Sequence, residues 1–195
     1  IRFAPLVKRI EATVRDISAE QLQKLKSSDS ISLFQGNAFF VDNYTLHIGD
    51  DLITAPVICI AAGAEPHIPD IPGLAATPYM TTADALKRTS LPSRLIVIGG
   101  GTTAVELGFA YSAAGARVDF LIRSRLLRVF DDDIRDEFRR VFSRRHMLHE
   151  GGTPLHVSWE NDVFTVRYRT EQSAGNSIEA DALLVATGVA PQTSR

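Results

Sequence analysis

The sequence predicts an α/β fold, a parallel sheet covered by helices and extended by an antiparallel meander. Three observations carry that prediction. The apolar run Leu95–Ile98 enters the triplet Gly99-Gly100-Gly101, and a helical pattern opens at Thr102. A second apolar run, Ala116–Ile122, follows directly after Gly115. Further on, Leu155–Trp159 and Val163–Arg169 flank an Asn161-Asp162 turn. Strand, helix and strand in succession make a parallel pair, because the helix supplies the crossover. Two runs joined by a tight polar turn make an antiparallel hairpin.

Taken in order, Leu6, Ile10, Val14, Ile17, Leu22 and Leu25 recur near helical spacing, so residues 4–26 are expected as a long helix with a solvated charged face. Asp29-Ser30 ends it. Ile31–Phe34 and Ala38–Val41 follow, separated by Gly36-Asn37, and a strand at Thr45–Ile48 comes after a turn at Asp42-Asn43. Gly49-Asp50-Asp51 leads into Leu52–Ala62, which is expected to contain a strongly buried strand. Pro66, Pro69, Pro72 and Pro78 make the next stretch an extended connection. Thr82 is expected to cap a short helix at Ala83–Arg88. The helix after the glycines runs to Ala114, with Val105, Phe109 and Ser112-Ala113 facing inward and Gly115 as its cap. Asp131 caps a helix through Arg145, with Ile134, Phe138, Val141 and Phe142 buried together. Ala182–Ala186 returns as a buried strand ending in Thr187-Gly188.

The glycine triplet carries the chemistry. Gly99 serves a tight turn, and Gly101 lets the backbone approach a pyrophosphate. Ala104, at the third glycine position, must stay small for helix and strand to pack. The amides of Thr102 and Thr103 open the helix, and with the helix dipole behind them they form an anion site that needs no basic side chain. This is the pattern of a Rossmann-like dinucleotide site.

The end of the second strand selects the cofactor. An acid placed there would accept hydrogen bonds from the ribose hydroxyls of NAD. Asp119 comes too early in the strand, and the place is held by Arg123, followed by Arg125 and Arg128. A carboxylate repels a 2′-phosphate, whereas guanidinium groups pair with it in a forked geometry. The sequence therefore predicts NADPH over NADH.

The chain has 195 residues and a formal net charge of −2, with nothing to suggest a nucleic-acid or membrane surface. No apolar run is long enough to span a bilayer, and no signal peptide is visible. The single cysteine, Cys59, excludes an internal disulfide framework and fits a reducing cytoplasm. Its apolar surroundings, Val57–Ala61, predict a buried, inert thiol.

Two further segments share one form. Ile58–Pro66 and Leu183–Pro191 are each an apolar strand followed by A-[AT]-G-x-x-P. With the central glycine turn they resemble the flavin-dependent pyridine nucleotide–disulfide oxidoreductases, the group of glutathione, mercuric and mycothione reductases and dihydrolipoamide dehydrogenase. Arg123–Arg128 followed by Asp131–Ile134 is most similar to mycothione reductase, and glutathione reductase has a similar arginine pair. The resemblance implies that these two strands end where an FAD domain and an NADP domain cross. It divides the chain into 1–75 and 189–195, parts of a discontinuous FAD domain, and 76–188, an NADP domain. It assigns Arg123 and Arg128 to the 2′-phosphate, and the loop is one residue shorter than the usual form, so Arg125 is an alternative for one of them. Glu106 matches the glutamate beside the nicotinamide, and Gly188 a backbone contact to the same cofactor. Gly36–Phe39, with Asn37 and Ala38, matches a segment whose backbone meets the adenine end of FAD, and Gly63 is the glycine of the first A-[AT]-G.

Several positions depart from the family's form. Thr102 stands where a tyrosine often gates the nicotinamide pocket, and Thr103 where isoleucine is usual. Ala62 replaces a threonine, and Val189 an arginine. The FAD glycine motif, the C-x-x-x-x-C redox pair and the C-terminal dimerisation domain with H-P-x-x-E are not in this sequence. The chain is therefore expected to be a piece of a longer, homodimeric enzyme that passes electrons from NADPH through FAD and a cysteine pair to a small-molecule disulfide. No residue of this piece is expected to perform covalent catalysis, and alone it should not turn over. Two alternatives stay open: a nucleotide-binding module without redox chemistry, and a flavoenzyme of this fold with another acceptor, such as mercuric reductase, dihydrolipoamide dehydrogenase or an NAD(P)H oxidase. His146, His149 and Glu150 read as a helix terminus rather than a metal cluster, for want of a fourth ligand. Trp159 and Phe164 read as a cross-strand pair.

Overall fold

The computed structural model describes residues 2–173 and 175–192. The chain divides into two compact units, one made of Ile10–Gly63 and the other of the residues up to Arg9 together with those from Ala64 onward.

Helix α1 (Phe3–Lys26) runs from the larger unit into the smaller. Only Val7 of it is buried, and Phe3 packs on Tyr111 with ring centroids 5.4 Å apart. The apolar stripe that predicts the helix is largely uncovered: Leu6, Val14, Ile17, Leu22 and Leu25 are exposed. Strands β1 (Ala38–Asp42), β2 (Thr45–Ile48) and β3 (Asp51–Thr54) form an antiparallel meander. Ile31–Phe34 is neither helix nor strand, and Ile31, Leu33 and Phe34 are exposed. The buried strand expected within Leu52–Ala62 is not observed. After β3 the run is exposed, with Val57 82% and Ile60 72% accessible, and Cys59 is exposed rather than buried. An apolar run becomes a buried strand only where a neighbouring strand and an opposing layer exist. Among the described residues this run has neither.

In the larger unit, β4 (Ala64–Pro66) leads through a 3-10 turn at Leu74–Ala76 to α2 (Thr82–Lys87). The cap of α2 is Thr81, not Thr82, because Thr81 and Asp84 form a reciprocal capping box. The strand–helix units follow: β5 (Arg94–Ile98), α3 (Thr102–Ala114), β6 (Arg117–Ile122), α4 (Asp132–Phe142) and β7 (Met147–Glu150). A meander of β8 (Thr153–Glu160), β9 (Val163–Arg169) and β10 (Asn176–Ala180) precedes β11 (Ala182–Val185) and β12 (Val189–Pro191). The parallel sheet has the order β11-β5-β6-β7, and the meander the order β10-β9-β8. The hairpin turn is at Asn161-Asp162, both with positive φ, and Trp159 faces Phe164 across it.

Alternation along the sheet strands builds two cores. Leu95 and Val97, Phe120 and Ile122, and Leu184 point toward Ala104, Val105 and Tyr111 of α3 and Phe142 of α4. Ile96, Ile98, Leu121, Leu183 and Val185 point to the other side, against Val157, Phe164, Val166 and Ile178 of the meander. Strands buried on both faces need the continuous apolar runs that mark β5, β6 and β11 in the sequence.

Three helical expectations are corrected. The inward face of α3 is Ala104, Val105, Gly108, Tyr111 and Ala114, while Phe109 is half exposed and Ala113 exposed. Gly108 sits inward because helix and strand come very close there: a Cβ on it would lie 2.3 Å from Phe120 Cζ. Helix α4 ends at Phe142, and Ile134 and Val141 are exposed while Arg135 is buried between Asp132 and Asp136. His149 and Glu150 belong to β7, a strand and not a helix terminus, and His146 lies just before it.

Candidate nucleotide site

The glycine turn forms where β5 ends between two neighbours. The Gly99 amide donates to the Leu121 carbonyl at 3.0 Å, and the Ala186 amide donates to the Ile98 carbonyl at 2.9 Å. Gly99 has φ 138, and a Cβ there would come 2.2 Å from the Ala186 oxygen. At Gly100 a Cβ would meet Ile122 Cγ2 at 2.6 Å. Both glycines are thus demanded by the protein's own packing. Gly101 differs: its φ is −84 and nothing lies within 4 Å of a Cβ built on it. Ala104, wholly buried beneath the turn, lies with its Cβ 3.5 Å from the position a Gly99 side chain would take.

Gly101 is the N-cap of α3, and no side chain caps the helix. Val105 makes the first helical hydrogen bond, to the Gly101 carbonyl at 3.1 Å, which leaves the amides of Thr102, Thr103 and Ala104 without an acceptor among the described residues. Helices α2 and α4 carry acids in their first turns, Asp84 and Asp132-Asp133, whereas α3 has none there. The positive end of α3 is therefore uncompensated by its own sequence. Thr102, Thr103 and Glu106 are exposed.

The arginine loop is tied to this turn. The Leu127 amide donates to the Gly100 carbonyl at 2.7 Å, and Leu126 and Leu127 are buried. Arg123, Arg125 and Arg128 are exposed, and among the described residues none has a carboxylate within salt-bridge distance. On α4, by contrast, Arg135, Arg139 and Arg140 are each paired with an acid. The strand β11 brings Ala186 against Gly99, and Gly188 follows with φ 116. Its carbonyl accepts from the His67 amide at 2.9 Å, while the Thr187 hydroxyl donates to the His67 carbonyl at 2.6 Å. The two A-[AT]-G-x-x-P segments meet each other: β12 pairs antiparallel with β4, with Ala190 opposite Glu65.

The remaining expected residues belong to the smaller unit. Asn37 and Ala38 are exposed at the start of β1, and Gly63, with φ 75, has open space where a side chain would be. The turn, the arginine loop and the end of β11 are thus gathered in the larger unit.

A polar network on the meander side of the sheet escapes sequence reasoning. Buried Asp119 on β6 accepts from His149 Nε2 at 3.2 Å, and His149 Nδ1 is 2.9 Å from the Tyr168 hydroxyl. Burial, with the Asp119 charge, raises the Tyr168 pKa. His146 is buried among Phe109, Phe120 and Phe142, its Nδ1 has no partner among the described residues, and burial lowers its pKa, assisted by Arg145 and opposed by Asp119. Among the described residues no group of three or more His, Cys, Asp or Glu could hold a metal ion. No described helix is long and apolar enough to cross a membrane.

Residues 4–195 match the family model for pyridine nucleotide-disulphide oxidoreductase. The chain belongs to this family. It is 31% identical over 192 residues to the mercuric reductase of Staphylococcus aureus, covering 98% of this chain and 35% of that protein. With the mercuric reductase of Bacillus cereus it shares 33% identity over 197 residues, covering 100% and 31%. Among solved structures it resembles the HOCl-induced flavoprotein disulfide reductase RclA from Escherichia coli, with a TM-score of 0.85 and 25% identity over 100% of this chain and 44% of that one. This member of the pyridine nucleotide-disulphide oxidoreductases thus spans about a third of the length of the curated relatives it matches.

Proposed function

We propose that this chain carries the NADPH-binding part of a flavin-dependent disulfide reductase. The uncapped, acid-free start of α3, joined through one hydrogen bond to a loop of three uncommitted arginines, carries the reading. A diphosphate fits the first feature and an additional phosphate fits the second. The open space at Gly101 supports backbone approach by a ligand, since nothing among the described residues demands glycine there.

In this reading the amides of Thr102, Thr103 and Ala104 hold the pyrophosphate, Gly99 shapes the turn, and Arg123 and Arg128 hold the 2′-phosphate. Glu106 and Gly188 orient the nicotinamide end. Residues 76–188 form the NADP domain, and 1–75 with 189–195 contribute to an FAD domain in which Asn37, Ala38 and Gly63 lie along the flavin cofactor. The exposure of these three residues is compatible with that role. When bound in the full-length enzyme, NADPH would supply a hydride for FAD, which would relay electrons to a cysteine pair and a small-molecule disulfide. The protein's part is to bind, orient and tune. The whole enzyme works as a homodimer in the cytoplasm, on mycothione or a similar disulfide. Similarity to mercuric reductases favours a second reading, with mercuric ion as the acceptor.

Two measurements test this. Titration with each nicotinamide cofactor should give NADPH binding at least about tenfold tighter than NADH, and binding of neither would overturn the proposal. Oxidation of NADPH by the full-length protein, offered low-molecular-weight disulfides and mercuric ion separately, decides between the acceptors.

A further inference from the structure

The segment between β6 and α4 is neither helix nor strand, yet three exposed arginines depend on its shape. Leu127 adopts φ 50, a left-handed conformation that is strained for a non-glycine residue. Such a conformation persists only when its surroundings hold it. Two of the holding contacts are backbone to backbone: Leu127 N–H to the Gly100 carbonyl at 2.7 Å, and Gly151 N–H to the Ser124 carbonyl at 3.3 Å. A side chain supplies another. Glu150, at the end of β7, accepts from the Leu126 amide through Oε1 at 3.0 Å, and its Oε2 accepts from Arg139 Nε on α4.

We infer that Glu150 is a positioning residue for cofactor selectivity, holding the 123–128 loop in the shape that presents its guanidiniums to a 2′-phosphate. Leu126 is fully buried and the Glu150 carboxylate is the acceptor of its amide, so removing the carboxylate takes away that amide's partner. Long arginine side chains already lose rotamer freedom on binding, and an unpinned loop would add backbone entropy to that loss. Arg139 serves the same arrangement: it orients the carboxylate and offsets a negative charge that would otherwise oppose an anionic ligand beside the loop. An acid within an anion site is thus used for its acceptor atoms while its charge is balanced from α4.

This inference rests on the NADPH reading, and the test separates the two. In the full-length chain, affinities for NADPH and NADH are measured for Glu150→Ala, Glu150→Gln and the double variant Arg123→Ala/Arg128→Ala. Glu150→Ala should weaken NADPH about tenfold with less than about twofold effect on NADH. Glu150→Gln, which keeps an oxygen for the Leu126 amide, should stay within about twofold of the parent for both. Added to the arginine double variant, Glu150→Ala should cost nothing more in NADPH affinity. Equal losses for both cofactors, or no loss, would overturn the role of Glu150. An arginine double variant with an unchanged NADPH to NADH ratio would overturn the NADPH reading itself. Should Glu150→Ala fail to fold, Arg139→Ala on the exposed helix face replaces it, with an expected ratio about threefold lower and an unchanged ratio counting against the inference.

Discussion

The Leu127 amide reaches the Gly100 carbonyl at 2.7 Å, so the arginine loop and the glycine turn are one hydrogen-bonded structure. This bond connects two parts of the proposed dinucleotide site that are more than twenty residues apart in the chain. It also gives the turn two kinds of glycine: Gly99 and Gly100 are surrounded by protein, whereas Gly101 faces open space.

That difference separates folding from binding. Gly99→Ala forces a Cβ to 2.2 Å from a backbone oxygen at φ 138, and it should destabilise the chain by about 3 kcal/mol or more. Gly101→Ala meets nothing among the described residues and should cost no more than about 1 kcal/mol as an N-cap change, yet lose at least about tenfold in NADPH affinity. Urea unfolding and cofactor titration of both variants check this. An undisturbed affinity in Gly101→Ala would mean that the backbone there is not in contact with the ligand.

Gly108 makes the same argument inside the core. A methyl there meets the ring of Phe120, which is fully buried and packed on Phe142, so it cannot swing away. Gly108→Ala should lose about 2 kcal/mol in spite of alanine's better helix propensity. A variant as stable as the parent in thermal unfolding would show that the helix can shift.

The parts legible in the sequence are those whose cause is local. The turn at Gly99–Gly101 follows from a strand, three glycines and a helix start in succession, and the strands β5, β6 and β11 from unbroken apolar runs. The arginine loop follows from its place after β6. Long-range causes are hidden. β7 carries His149 and Glu150, polar residues that read as a helix end until Asp119, Tyr168 and the Leu126 amide are seen to occupy them. Phe109 and Val141 look as apolar as any core residue, but the faces of their helices are set by where Gly108 and Phe142 meet Phe120. The run around Cys59 misleads for the opposite reason: its composition signals burial, and the described residues offer it no partner.

His146 ties stability to pH. Burial lowers its pKa, so the folded chain holds fewer protons than the unfolded chain over the window below the ordinary histidine value of about 6.5. The stability is therefore fully present above that pH and is lost as the pH falls through it toward the folded value. His146→Phe should flatten the fall in thermal midpoint between about pH 7 and 5. It should also gain about 1 kcal/mol at neutral pH by removing an unpaired buried nitrogen. A slope identical to that of the parent would exclude His146 as its source.

The network from Asp119 through His149 to Tyr168 fastens the meander to the parallel sheet. Tyr168→Phe removes one hydroxyl and leaves His149 Nδ1 without that partner, so it should cost about 1 kcal/mol in urea unfolding. NADPH affinity should not change, because none of these residues belongs to the turn or the arginine loop. A weakened affinity would show that the network reaches the nucleotide site.

The most direct measurement compares dissociation constants for NADPH and NADH in Arg123→Ala/Arg128→Ala and in the parent chain. Losing charge-assisted contacts to one phosphate should weaken NADPH by about 100-fold and leave NADH within about twofold. Equal losses for the two cofactors would contradict the assignment of these guanidiniums to the 2′-phosphate.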